Sequence, residues 1–382
     1  LQAIINAKIK RSGPQNPLNT AQRGFFMIAS MNNAAPALVQ IENNDEHLGT
    51  LDGVRGAAAI AVLISHLANA KMLPAIFGTG FGRMGVALFF VLSGFLMAYL
   101  YAHRKFDAPT VARYLRSRAA RVLPLYFLIV AVSAPALSFW TYDVGPRLLQ
   151  HVALIKAHDV LWTIPVEIHF YVVFLLLWAA PSRILAIAFL LTAGFILSIV
   201  AINQFGEANV LPVWLPFFLI GAIFGLIHRS NPHRIDHISN SNIAAGLGWM
   251  VLAAIIPSLP QLRREMGLLG EYSSNPWSDP IGILIPIAVF VCSLYSLGPF
   301  RFLSSPTCRW LGSISFGAYL IHMLVIQNLI HLADTSFSAW NLLLALAVIA
   351  LTLAIAHLSL KFFEKPVQNL VTRRSKILPN LA

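Results

Sequence analysis

Ten continuous apolar runs of about 20 residues each organise this 382-residue chain, at 52–70, 84–102, 122–139, 162–180, 183–203, 210–228, 242–259, 280–297, 311–330 and 341–362. A helix rises about 1.5 Å per residue, so each run can cross a hydrocarbon core roughly 30 Å thick. A lipid-spanning β-barrel would instead show short segments of alternating polarity. Composition excludes the soluble alternatives: 57% of residues are hydrophobic and 11% charged, against roughly 25% charged in a soluble domain. The expected fold is therefore an all-α integral membrane protein of about ten transmembrane helices. Pro and Gly punctuate the gaps between runs, as at Gly145-Pro146, Asn231-Pro232, Asn275-Pro276 and Gly298-Pro299.

The net charge of +12 could suggest nucleic acid, but its placement gives another reading. With the amino terminus inside, 20 of the 27 Lys and Arg fall on the cytoplasmic face and 6 on the other, with Arg55 at the mouth of the first span. The positive-inside rule then puts both termini in the cytoplasm, and no nucleic-acid partner is implied. Residues 1–50 read as a polar cytoplasmic tail without a signal peptide. That tail is expected to be disordered, or untranslated in part, since the first methionines are Met27 and Met31. The spanning domain is expected over 51–370, followed by a basic tail over 371–382. Two cysteines, Cys292 and Cys308, make neither a disulfide framework nor a zinc site, and no metal ligands are assigned.

Ionisable residues inside a span cost about 2.5–3.5 kcal/mol on insertion scales, so they need a purpose or a partner. Arg55 and His66 lie eleven residues apart, about three helical turns, and share one face of the first span, with Asp52 near that face at its entrance. In the fourth span Thr163, Glu167 and Tyr171 follow i, i+4, i+8 spacing, beside Trp162. Glu167 and His66 sit at similar depth and could pair in the interior, the carboxylate fixing the tautomer of the imidazole. Arg118 and Arg121 stand three apart at the start of the third span, near Tyr126. They can clamp one phosphate or serve as ordinary positive-inside charge. Ser315, Tyr319 and His322 form a polar stripe in the ninth span, either lining a cavity or bonding between helices. Ser93, in Gly85-Val-Ala-Leu-Phe-Phe-Val-Leu-Ser93-Gly94, reads first as small-residue helix packing, with a catalytic serine as the minor alternative.

Together these segments resemble the acyltransferase-3 family of integral membrane proteins. The resemblance rests on Leu51-Asp-Gly-Val-Arg55-Gly with Arg55-x10-His66, on 85–96, and on Arg118-x-x-Arg121-x-x-Pro124-x-Tyr126. It continues through Trp162-Thr-x-x-x-Glu167-x-x-Phe170-Tyr171, Leu311-Gly-Ser-Ile-Ser-Phe-Gly-Ala-Tyr-Leu-Ile-His322 and Phe363-Glu364-Lys-Pro366. Ala87 departs from it, standing where many relatives carry a polar residue. The resemblance implies ten helices, no permanently bound cofactor, an acyl-CoA donor (acetyl-CoA the first choice) on the cytoplasmic side, and a carbohydrate hydroxyl as acceptor. His66 and Arg55 correspond to the family's essential pair, and Arg118 and Arg121 to its arginine pair. The expected activity is O-acetyl transfer to an envelope sugar at the inner membrane. In that activity His66 acts as general base or acyl carrier, Glu167 and Arg55 assist it, and Asp52, Tyr126, Trp162, Tyr171, Ser315, Tyr319 and His322 line the substrate path. The competing expectation is a transporter or flippase with His66 and Glu167 as a proton relay.

Overall fold

The computed structural model describes residues 46–78, 80–136, 144–206, 208–230, 241–270 and 275–377. The amino-terminal tail up to residue 45 and the last five residues of the carboxyl-terminal tail lie outside this set. Each of the ten apolar windows is carried by a helix: α1 Glu46–Asn69, α2 Phe81–Tyr101, α3 Ala108–Ala136, α5 Thr163–Ala179, α6 Arg183–Phe205, α7 Leu211–Ser230, α8 Asn242–Ile255, α10 Pro280–Leu294, α11 Pro306–Leu329 and α12 Ala339–Ser359. Two short helices, α4 Val144–Val152 and α9 Pro260–Glu265, and the terminal α13 Lys365–Ile377 complete the set.

By length and apolarity, seven of the described helices can cross a membrane, or eight if α10 is joined to the turn at Gly298–Ser304 across a 72° bend. Two of the ten windows fall short of that measure for visible reasons. The third window is the apolar half of a longer helix whose first half carries Arg113, Arg116, Arg118 and Arg121. The seventh ends after 14 residues. Helix starts follow local chemistry. Ser182, Ser241, Asp279, Ser305 and Ser338 each accept a bond from a first-turn amide, and Pro280 and Pro306 sit where a missing N–H costs nothing.

The apolar surface is turned outward as well as inward. On α6, Ile184, Leu185, Phe189 and Phe195 are exposed, which only a hydrocarbon surround makes favourable. This is a multi-pass membrane protein. Its packing centre is α2, most of whose side chains are buried, and its widest contact is with α7. Small residues allow that contact: a methyl group on Gly94 would strike the Phe218 carbonyl, and one on Gly221 would strike the Val91 carbonyl. Gly94→Val is expected to destabilise the detergent-solubilised protein by about 3 kcal/mol or more, since neither backbone can retreat; thermal unfolding in detergent measures it.

A second anchor joins distant loops. Asn341, fully buried, donates to the carbonyls of Lys71, Ser336 and Asp334 at 3.0–3.2 Å and accepts from the Asp334 amide at 2.8 Å. Asn341→Ala strands several buried polar groups and is expected to cost about 2–3 kcal/mol in the same assay.

Candidate active site

A cavity of about 80 Å³ opens between α1, α2, α3, α5 and α11. Arg55 enters from α1, Ser93 from α2, Arg118 and Arg121 from α3, Thr163, Glu167 and Tyr171 from α5, and Ser315 and Tyr319 from α11. Apolar walls are supplied mainly by α2, through Phe89, Phe90 and Leu96. Helical periodicity explains the convergence on α5, where Thr163, Glu167 and Tyr171 recur one turn apart and face the same space.

The lining carries three guanidinium groups and one carboxylate. Arg118 is 8% exposed and lies among Tyr101, Tyr114 and Tyr171, with its guanidinium 5.9 Å from the Tyr101 ring centre. Among the described residues its buried Nε has no hydrogen-bond partner. Arg121 is repelled by Arg55 and Arg118 and attracted by Glu167. Arg55 is held by Asp52 one turn earlier on α1, Nη1 to Oδ1 at 2.8 Å. Asp52 thus orients an arginine from outside the cavity lining. Like charges gathered at low dielectric repel strongly, so the excess positive charge favours an anionic guest.

Glu167 and His66 do not pair. Among the described residues Glu167 Oε1 accepts from Ser93 Oγ at 2.5 Å and from Tyr171 OH at 2.6 Å. Equal depth on two helices fixes height but not direction. Close packing of α1 on α11, where Gly56 meets Leu311 and Gly312 meets Asp52, leaves the His66 ring beside that of His322, with centres 5.2 Å apart. His322 is 1% exposed, and its Nδ1 lies 2.6 Å from the Tyr319 carbonyl oxygen. A carbonyl only accepts, so Nδ1 carries the proton and Nε2 is left as a buried acceptor without a partner among the described residues. Tyr319 links this pair to the cavity: its ring is 5.8 Å from His322, and its hydroxyl donates to the Val160 carbonyl while accepting from Thr163.

Two more expected lining residues stand elsewhere. Tyr126, fully buried, hydrogen-bonds the backbone carbonyl and Nδ1 of His151 at 3.1 and 3.2 Å, fastening α4 to α3. Burial, reinforced by the neighbouring His158, pushes His151 down to about 4, so the fastening stays neutral. Trp162 packs behind the cavity, its ring against those of Phe90 and Trp214. The residue that sequence reasoning undervalued is Ser93. Its small-residue context is genuine, since the adjacent Gly94 packs on α7, but the hydroxyl itself turns to Glu167.

A family model described as an acyltransferase domain matches residues 48–359. Acyltransferase MdmB of Streptomyces mycarofaciens is 24% identical over 386 residues, covering 86% of this chain and 94% of its own length. Nodulation protein 10 of Rhizobium leguminosarum bv. viciae is 24% identical over 379 residues, covering 87% and 96%. Protein 2 in picA locus of Rhizobium radiobacter is 35% identical over 91 residues, 22% of this chain and 42% of its own. No solved structure matches. All five helices that wall the cavity fall almost wholly within the matched domain, and the chain belongs to the acyltransferase-3 family of membrane acyltransferases.

Proposed function

We propose that this membrane acyltransferase moves an acetyl group from cytoplasmic acetyl-CoA to a hydroxyl of an envelope sugar or polysaccharide. It would act as a multi-pass protein of the inner membrane with both termini in the cytoplasm. The observation that supports this reading is the convergence of Arg55, Arg118 and Arg121 on one cavity whose lining holds a single carboxylate. Arg118 and Arg121 hold the phosphates of the donor, since planar guanidinium groups match phosphate geometry and keep their charge when buried. Arg55, set by Asp52, faces the oxyanion that develops on the thioester carbonyl. His66 takes the proton of the acceptor hydroxyl, beyond the cavity lining at Tyr319, where its ring lies beside that of His322. Lining the donor path are Tyr171, Ser315 and Tyr319.

Purified protein in nanodiscs, supplied with acetyl-CoA and a panel of envelope glycans, tests the reading. The expected outcome is release of free CoA that depends on the glycan, with acetyl recovered on a glycan hydroxyl. Solute movement across vesicles with no CoA consumed would instead support transport.

A further inference from the structure

Ser93 is the twelfth of thirteen residues from Gly82 to Gly94 on the helix at the centre of the packing, near the middle of α2. Its hydroxyl opens onto the cavity that also holds the three guanidinium groups. The Ser93–Glu167 bond, at 2.5 Å, joins α2 to α5. Tyr171 bonds the same carboxylate oxygen at 2.6 Å from one turn along α5, and its side chain is in turn buried under Tyr114. A hydroxyl on a carboxylate, the carboxylate held by a third group, and cations across the same small space are the parts of an activated nucleophile with its base, its orienting residue and its oxyanion partner. A serine needed only to pack α2 on α7 has no need to face this cavity, since Gly94 and Gly221 already provide that contact.

We infer that Ser93 receives the acyl group from the donor before the acceptor does, with Glu167 as its base and Tyr171 as the residue that positions Glu167. The inference rests on the acyltransferase reading given above. In the step, Ser93 Oγ forms a bond to the thioester carbonyl carbon and the carbon–sulfur bond breaks. The hydroxyl proton passes to Glu167 Oε1 and from there to the departing sulfur, which leaves as the thiol of CoA. Nothing is oxidised or reduced. The resulting ester stays on α2, so CoA can depart on its own side before the acceptor hydroxyl attacks the same carbon. The bond from that carbon to Ser93 Oγ then breaks, and the acceptor's proton, taken up by His66, is passed on to Ser93 Oγ, which restores the serine and the neutral imidazole.

The test mixes nanodisc-held protein with acetyl-CoA in the absence of acceptor, quenches with acid, and follows both free CoA and the mass of each peptide. One CoA per protein is expected in an initial burst, with one acetyl group on the peptide containing Ser93. Ser93→Ala should lose the burst and lower glycan-dependent CoA release by about 100-fold or more. Ser93→Cys, which keeps a nucleophile, should restore a labelled peptide. Glu167→Gln should slow the burst by about 100-fold while the affinity for a non-transferable thioether analogue of acetyl-CoA is kept or raised, because the variant removes the one negative charge from the cavity lining. A merely structural serine would lower the unfolding temperature in the alanine variant and leave the burst in place. The inference is overturned if Ser93→Ala keeps glycan-dependent release within about tenfold of wild type, or if the acetyl label sits on His66; in both cases the acyltransferase reading survives. Absence of CoA release with every glycan would overturn the reading and the inference together.

Discussion

His66→Ala is expected to lower glycan-dependent acetyl transfer by about 1,000-fold in kcat, with the KM for acetyl-CoA changed by less than about threefold. The split follows from position. His66 lies outside the lining of the arginine cavity and is linked to it by the ring contacts of His322 and Tyr319. On the proposed function, removing it leaves Arg55, Arg118 and Arg121 in place and takes away only the group proposed to receive the acceptor's proton. The side chain is half-buried and makes a ring contact with His322, so its loss is expected to be mild for stability. Single-turnover measurement adds a finer expectation: the burst of CoA on mixing with acetyl-CoA persists in His66→Ala, while transfer to glycan does not. A variant that lost burst and transfer together would place His66 in donor chemistry instead.

Removing both members of the arginine pair should move the other parameter. The double variant Arg118→Ala/Arg121→Ala is expected to raise the KM for acetyl-CoA by about 100-fold or more, because each charge-assisted bond to phosphate contributes about 1.5–3 kcal/mol and 1.4 kcal/mol is tenfold. Arg118→Lys should recover only part of this, since an ammonium cannot reproduce a planar two-point grip. Without donor the double variant relieves the repulsion of Arg121 by Arg55 and Arg118 but also loses its attraction to Glu167 and the Arg118 contact with the Tyr101 ring, so its unfolding temperature is expected to stay near that of wild type. Added CoA should then raise the unfolding temperature of wild type and leave the variant unmoved. Differential scanning fluorimetry in detergent reads both effects, and an unfolding temperature that falls in the variant would mean that the guanidinium groups are there to hold α3 in place.

The helices were legible because hydropathy reports directly on the solvent each segment needs, and the windows match α1, α2, α5, α6, α7, α11 and α12 closely. Ends were less legible where charge and apolarity share one helix. The basic run before residue 122 continues as α3 without a break, because arginine is a good helix former and nothing there interrupts the backbone. At the cavity, residues repeated on one helix could be read from spacing, so Glu167 and Tyr171, and Ser315 and Tyr319, appear together as expected. Which helices face each other cannot be read from spacing. Glu167 therefore meets Ser93 where His66 was expected, and the carboxylate's partner comes from a segment that reads as packing. Tyr126 sits close to Arg121 in the chain but turns away from the cavity to His151, a residue of α4 that no motif brings forward.

The central claim is that the arginine-lined cavity takes the CoA thioester, and covalent mapping tests it most directly. An acyl-CoA bearing a diazirine in a short acyl chain, photolysed on nanodisc-held protein, should label peptides containing 89–97 of α2 and 163–171 of α5, with labelling abolished by excess CoA and by Arg118→Ala/Arg121→Ala. Labelling confined to lipid-facing α6, or labelling that neither excess CoA nor the arginine variant diminishes, would contradict it.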